Sequence, residues 1–356
     1  MKLDRRNFMG VSAAMLAVSS ARAAGVDADP IKDMIVINAL GGLGDPNQPA
    51  DSLVPQFSPR VLAEAHASGL TAVNITIGYV SGSADPFEQS VREVAETDAQ
   101  VRANSRDLMK ILTAADIRRA KAEGKTGLIY GFQNGAMMGQ DASRVDIFAN
   151  LGVRIFQLTY NPANQLGDGS MAPGNRGLTP FGREVVARCN AQRVMVDLSH
   201  SGEQTCLEAA RISKQPISIN HTGCRAVTNL PRNKTDAELK LVADRGGFIG
   251  IYFMPFLDLS GHARAEHVVA HIDHAVNLCG EDHVGIGTDS DLYGYDDTSP
   301  EMNKMLRGAY KDSYAFREKI DIDGFDLAQD GTRKSTGGPC AAAFGPTLRA
   351  SCLPTR

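Results

Sequence analysis

No tryptophan occurs among the 356 residues, and aromatic side chains make up only 6% of the chain. A carbohydrate site or another site built on ring stacking is disfavoured on that ground. The six cysteines, at 189, 206, 224, 279, 340 and 352, form no C-x-x-C pair. That removes the usual thiol-redox and zinc-ribbon spacings and leaves no legible disulfide framework. Cys189, Cys206 and Cys279 read instead as small buried thiols. No H-E-x-x-H pair is present, so the helical zinc motif is excluded as well. A formal charge of -4 and a pI near 6.1 lack the basic footprint of a nucleic-acid binder. What remains, with 43% hydrophobic and 22% charged residues, is an ordinary globular composition.

The first 23 residues have the pattern of a targeting segment. Arg5-Arg6-Asn7-Phe8-Met9 precedes a mild apolar stretch from Met9 to Ser20, and Ala21-Arg22-Ala23 places small residues at the -3 and -1 positions of a cleavage site. Paired arginines, a weak apolar region and an A-x-A end predict export by the twin-arginine route to the periplasm. The apolar stretch is too short to remain as a permanent membrane span. At the other end, Gly331 to Arg356 contains four basic residues, no acid and no helical period. It reads as a disordered extension or an out-of-frame translation.

Between these ends, short apolar runs alternate with helical patterns. Strands are expected near 34–39, 71–77, 127–132, 153–159, 193–198, 216–220, 247–253 and 283–288. Most are continuously apolar, as parallel strands covered on both faces are. Helices are signalled at Ser58 to Ser68, after the Thr179-Pro180 cap, after the Thr235 to Glu238 capping box, and from Glu266 to Leu278. Strand then helix, eight times, predicts an α/β fold, a (β/α)8 TIM barrel of the amidohydrolase-like kind, within one domain from 24 to 330.

Chemistry in such a barrel gathers where the strands end. His200 closes the run Arg193-Val-Met-Val-Asp-Leu-Ser-His200, and His221 closes Pro216-Ile-Ser-Ile-Asn-His221. Neighbouring parallel strands lie ~4.8 Å apart, which lets two imidazoles meet at one metal ion. Asp289, at the end of His283-Val-Gly-Ile-Gly-Thr-Asp289, is a further ligand or a general base for a metal-activated water. Arg232, on the loop after the sixth strand, is either a two-point clamp for a substrate carboxylate or a loop ion-pair partner. His262, His267, His271 and His274 lie in or beside one helix and read as surface or satisfied packing.

The motifs Asn190 to His200, Asn220-His-Thr222, Pro231 to Asp236 and Val284 to Asp289 resemble the membrane dipeptidase (renal dipeptidase) family of zinc metallopeptidases. So do Gly152-Val-Arg154, Leu158-Thr-Tyr-Asn161 and Gly177 to Gly182, and the similarity runs from about Asp33 to about Gly294. The resemblance implies an amidohydrolase-like barrel, two bridged zinc ions and cleavage of dipeptides. It puts two zinc-ligating histidines on His200 and His221, the substrate-carboxylate arginine on Arg232, and the proton-handling aspartate on Asp289. It also implies a homodimer by analogy.

Several positions depart from that pattern. The family's first strand ends in a His-x-Asp ligand pair, and here those positions are Leu40 and Gly42. The bridging glutamate falls on Gln133, and a substrate-contacting histidine falls on Tyr160. A neutral amide does not bridge two cations as a carboxylate does. The expectation is therefore one zinc ion rather than two, or none, with Asp289 or Asp45 as a third ligand. The function expected is an exported dipeptidase-like metallohydrolase. The alternative is a catalytically inactive relative that binds peptides or a maturation partner.

Overall fold

The computed structural model describes residues 33–45, 57–260, 262–292, 300 and 304. The expected export segment and the atypical tail lie outside them. The compact unit that contains the barrel begins at Ile35.

Among the described residues, nine strands run parallel in one sheet. They are β1 (Ile37–Gly41), β2 (Ala72–Thr76), β3 (Leu108–Lys110), β4 (Thr126–Phe132), β5 (Val153–Gln157), β6 (Met195–Asp197), β7 (Ser218–Thr222), β8 (Phe248–Ile251) and β9 (Val284–Ile286). The order is β1-β2-β4-β5-β6-β7-β8-β9, with β3 beside the first three residues of β4. The sheet closes where the segment after β9 returns to β1. Asp289 N donates to Leu40 O at 3.0 Å, and Gly42 N donates to Ser290 O at 3.2 Å. The barrel of eight strands expected from the sequence is thus present, with one short strand added.

Eight helices among the described residues cover the sheet: α1 (Pro59–Ala67), α2 (Pro86–Ala103), α3 (Ala114–Glu123), α4 (Arg144–Asn150), α5 (Pro180–Gln192), α6 (Glu203–Ile212), α7 (Asp236–Asp244) and α8 (Ala265–Cys279). Their starts follow from sequence. Ser58, Asp85 and Thr179 each precede a proline and accept a first-turn N–H. Thr235 and Glu238 form the expected reciprocal box at α7, and Thr113 with Asp116 forms another at α3.

Alternation along the strands explains where the site forms. Leu128, Tyr130 and Phe132 of β4 join the large core packed under the helices. Ile129 points the other way, into a smaller cluster with Ala72, Ile155 and Ile117 of α3. Two residues further along β2, β5 and β6, this inward face turns polar. Ala72 gives way to Asn74 and Thr76, Ile155 to Gln157 and Thr159, and Met195 to Asp197 and Ser199. The barrel is plugged with hydrocarbon where its strands begin and lined with polar groups where they end. Gly287 permits the closure, because a Cβ there would lie 1.9 Å from Asn220 O.

His271 sits fully buried in α8 as a packing residue. Its Nδ1 accepts from Cys224 N at 2.8 Å, and its Nε2 donates to Leu257 O at 3.1 Å. Burial lowers its pKa to about 4, and the nearby His274 and His267 add to that against the Leu257 carbonyl. An unfolded histidine takes a proton near 6.5. The unfolded state therefore gains protons first, and stability falls as pH drops from about 6.5 to about 4. We expect His271 to account for roughly 2–3 kcal/mol of acid lability over that window. Urea melts at pH 7 and 4.5 check this: a His271→Gln variant should lose markedly less stability on acidification. An equal loss in both proteins would refute the assignment.

Candidate functional site

One buried carboxylate organises the ends of β6 and β7. Asp197 is 1% exposed, and its Oδ1 accepts from Ser199 N at 3.0 Å, Ser199 Oγ at 2.5 Å and Asn220 N at 3.0 Å. Ser199 Oγ in turn accepts from His221 N at 3.1 Å. From the opposite side Arg232, also 1% exposed, donates Nη1 to Ser199 O and Nη2 to His221 O. The guanidinium lies 5.4 Å from the Tyr252 ring. Main-chain atoms on both sides of the histidine-bearing turns are thereby fixed. Burial pushes the Asp197 pKa up, while its three hydrogen bonds and the Arg232 charge oppose that rise.

This framework brings His200 and His221 together as the sequence predicts. Their Nε2 atoms are 2.9 Å apart, their ring centroids are 4.9 Å apart, and both rings are buried. His200 Nδ1 meets Asn161 Oδ1 at 2.7 Å. An amide oxygen only accepts, so Nδ1 of His200 carries the hydrogen and Nε2 keeps a lone pair. His221 Nδ1 has no hydrogen-bond partner among the described residues. If His221 protonates Nε2, a bare acceptor is buried at Nδ1. If it protonates Nδ1, two lone pairs face each other across 2.9 Å. A cation shared by the two Nε2 atoms relieves the second arrangement, and 2.9 Å is well within twice a zinc–nitrogen bond of ~2.0–2.1 Å. Burial, with the Arg232 and Lys234 charges, lowers both imidazole pKa values, which keeps them neutral as ligands must be. His200 and His221 thus offer two neutral nitrogen donors at one point.

Tyr160 stacks on His200 with centroids 4.3 Å apart and planes 27° from parallel. Burial, then the Asp289 carboxylate, raises its pKa to about 12, so the phenol stays protonated. Asp289 is half-buried and adopts φ +59°, a left-handed backbone uncommon for a residue with a side chain. Burial raises its carboxyl to about 7; Arg232 opposes this and Asp197 adds to it. A carboxyl titrating there both takes and returns a proton near neutrality.

The departing positions lie together. Leu40, Gly42 and Gln133 line a cavity beside Asp289 and Asp291. Gln133 Nε2 donates to Thr76 Oγ1 at 2.6 Å, a bond a carboxylate could make only by accepting. Asp45, expected as a possible third ligand, accepts from Ser58 Oγ at 2.6 Å at the start of α1. Among the described residues, no three His, Cys, Asp or Glu side chains gather closely enough to share an ion. Sequence reasoning missed the roles of Asn161, Asp197 and Ser199. The signal for Asp197 was an acid inside an otherwise apolar strand.

Asp197→Ala strands the N–H groups of Ser199 and Asn220 in the interior. The expected loss is about 2–4 kcal/mol, from two buried donors at roughly 1–3 kcal/mol each with partial relaxation. Chemical denaturation measures it, and a loss below about 0.5 kcal/mol would show that the cradle carries no weight.

Three comparisons place this geometry among known proteins. The sequence profile of the membrane dipeptidase family (peptidase family M19) matches residues 58–307. An amidohydrolase from Pseudomonas aeruginosa is 31% identical, superposes with a TM-score of 0.72, and shares 88% of this chain and 89% of its own. The dipeptidase tcpJ of Claviceps purpurea is 33% identical over 199 residues, 53% of this chain and 47% of its own, so the match spans about half of that relative. A metallo peptidase from Rhodobacter sphaeroides, solved with a phosphinate mimic of a dipeptide, shares the fold at 23% identity and a TM-score of 0.64, covering 80% of this chain and 94% of its own. With its profile match across most of the barrel and the histidine pair at the strand ends, the chain belongs to the membrane dipeptidase family of metallopeptidases.

Proposed function

We propose that this protein hydrolyses dipeptides or closely related amides with the help of a single metal ion held by His200 and His221. The observation that carries the proposal is the pair of Nε2 atoms 2.9 Å apart on a buried, rigidly hydrogen-bonded base. Family membership and the 33% identical dipeptidase support the reaction class. One ion rather than two follows from Leu40, Gly42 and Gln133, which offer no imidazole or carboxylate.

A zinc ion at this pair, when bound, supplies Lewis acidity toward water and the scissile carbonyl. The remaining work falls to the chain. Asp289 accepts a proton from the attacking water and returns it to the departing amine. Tyr160, protonated throughout the working range, donates its hydroxyl hydrogen toward the developing negative oxygen. Arg232 keeps a second N–H on each terminal nitrogen beyond its main-chain bonds, and these meet the substrate carboxylate. Its burial makes it a positioning residue as well, since it holds the His221 and Ser199 carbonyls.

A second reading, a peptide-binding relative without catalysis, draws on the small number of grouped metal ligands among the described residues. We also infer export to the periplasm by the twin-arginine route, on the strength of Arg5-Arg6 and the Ala21-Arg22-Ala23 end. No described helix is long and apolar enough to cross a membrane. Cell fractionation tests the location, and a cytoplasmic full-length chain would refute export.

Metal analysis and dipeptide turnover test the main proposal together. We expect about one zinc per chain in the wild type and close to none in His200→Ala. Asp289→Asn should keep the metal and lose roughly 10²–10⁴-fold in kcat. Metal-free wild-type protein that still binds dipeptides would favour the non-catalytic reading. Turnover that survives His200→Ala would remove the site assignment.

A further inference from the structure

The carbonyls of three consecutive residues around His200 are held from three directions. Ser199 O accepts from Arg232 Nη1, His200 O accepts from Ser170 N at 2.7 Å, and Ser201 O accepts from Lys234 Nζ. The last of these donors is a charged side chain only 2% exposed. Its counter-ion is Glu238, 1% exposed, whose Oε1 lies 3.2 Å from Lys234 Nζ. The other carboxylate oxygen of Glu238 closes the cap of α7, accepting from Thr235 N at 2.8 Å and from Thr235 Oγ1 at 2.9 Å.

The main chain of Lys234 is tied to the second histidine turn. Lys234 N donates to Gly223 O at 3.0 Å, and Lys234 O accepts from Arg225 N at 2.8 Å. Gly223 follows His221 and Thr222 directly at the end of β7. One residue therefore grips both turns, the His221 turn through its peptide groups and the His200 turn through its ammonium group. Burying an ammonium and a carboxylate together is a poor route to stability, since apolar side chains of similar volume often serve as well or better. What apolar side chains cannot supply is a donor aimed at Ser201 O. The four-carbon stem of Lys234 fixes how far the two turns stand apart, and with them the two imidazoles.

We propose that Lys234 is a positioning residue, a strut that sets the spacing of His200 and His221, and that Glu238 serves it by neutralising its charge. The inference rests on the hydrolase reading only for the use of that spacing, which is to present two nitrogens to one metal ion.

Two variants of the full chain separate a strut from a merely stabilising pair. Glu238→Gln keeps the cap of α7, because glutamine fills that position of the box as glutamate does. It leaves the ammonium group buried without its counter-ion but still bonded to Ser201 O. Lys234→Met combined with Glu238→Gln removes the charges and the strut together, with an unbranched thioether filling the volume. Urea midpoints should rank the double variant above Glu238→Gln, because an unpaired buried charge is the costlier defect. The spacing of the histidines should rank the other way. In metal-free protein carrying isotope-labelled histidine, NMR follows exchange of the His200 Nδ1 hydrogen, which is bonded to Asn161 Oδ1. That exchange should be at least ~10-fold faster in the double variant than in the wild type, and close to the wild-type rate in Glu238→Gln. Zinc affinity, measured by chelator competition, should fall roughly 10- to 100-fold in the double variant alone, the range for a lost partner behind a metal ligand. Wild-type exchange in the double variant overturns the proposal. So does a single ranking of the variants in both measurements, because the pair would then act through stability. A wild-type chain that takes up no zinc refutes the hydrolase reading separately, and the exchange rates still decide the strut.

Discussion

The buried carboxylate of Asp197 is the constraint on which the site depends. Its Oδ1 gathers three hydrogens from the turns after β6 and from β7, and Arg232 pins the same turns through two carbonyls. Each group alone is expensive to bury, since an uncompensated charge in the interior costs several kcal/mol. Here the negative and the positive group are bridged by main-chain amides rather than placed in direct contact. The charges offset each other's burial, and the peptide units between them lose their freedom. His200 and His221 project from those peptide units, so the 2.9 Å convergence of their nitrogens is built into the backbone.

That arrangement works because the inward face of the barrel divides along its length. Ala72, Ile129, Ile155 and Met195 form a hydrocarbon plug where the strands begin, and the large outer core under the helices holds the strands in register. Polar side chains come only at the next inward position, where the strands end. The plug excludes water from below, which strengthens the electrostatic coupling among Asp197, Arg232, Asp289 and Tyr160. Asp289 in particular owes its raised pKa to this enclosure first and to its neighbours second.

Much of this was legible in the sequence, for a physical reason. Parallel strands covered on both faces must be continuously apolar, so all eight barrel strands stood out, and polar residues closing such runs marked the mouth. The strand Leu108–Lys110 was not legible. It has three residues and pairs only with the start of β4, too little for any periodicity. Helices α2, α3, α4 and α6 were not singled out either, although Asp85-Pro86 carries the same cap signal as Thr179-Pro180. In the site, His200 and His221 lie together as their strand-end positions imply, with Tyr160 stacked on His200. The role of Arg232 in holding carbonyls was invisible, because a sequence records a guanidinium but not which main-chain oxygens turn toward it.

The exchange between positions 42 and 291 also explains why the departures from the family pattern form a set. A carboxylate on residue 42 and the carboxylate of Asp291 compete for one volume, since a Cβ at 42 already falls 1.7 Å from Asp291 Oδ1. The backbone around 42 and 44 has adapted to the second occupant, with Gly44 N donating to it. Two buried like charges at that distance would force one to stay protonated. Gln133 fits the same logic. A neutral amide that donates to Thr76 costs less to bury than a carboxylate would. Leu40, Gly42, Gln133 and Asp291 therefore meet at one cavity, where Asp289 and Asp291 are the two carboxylates.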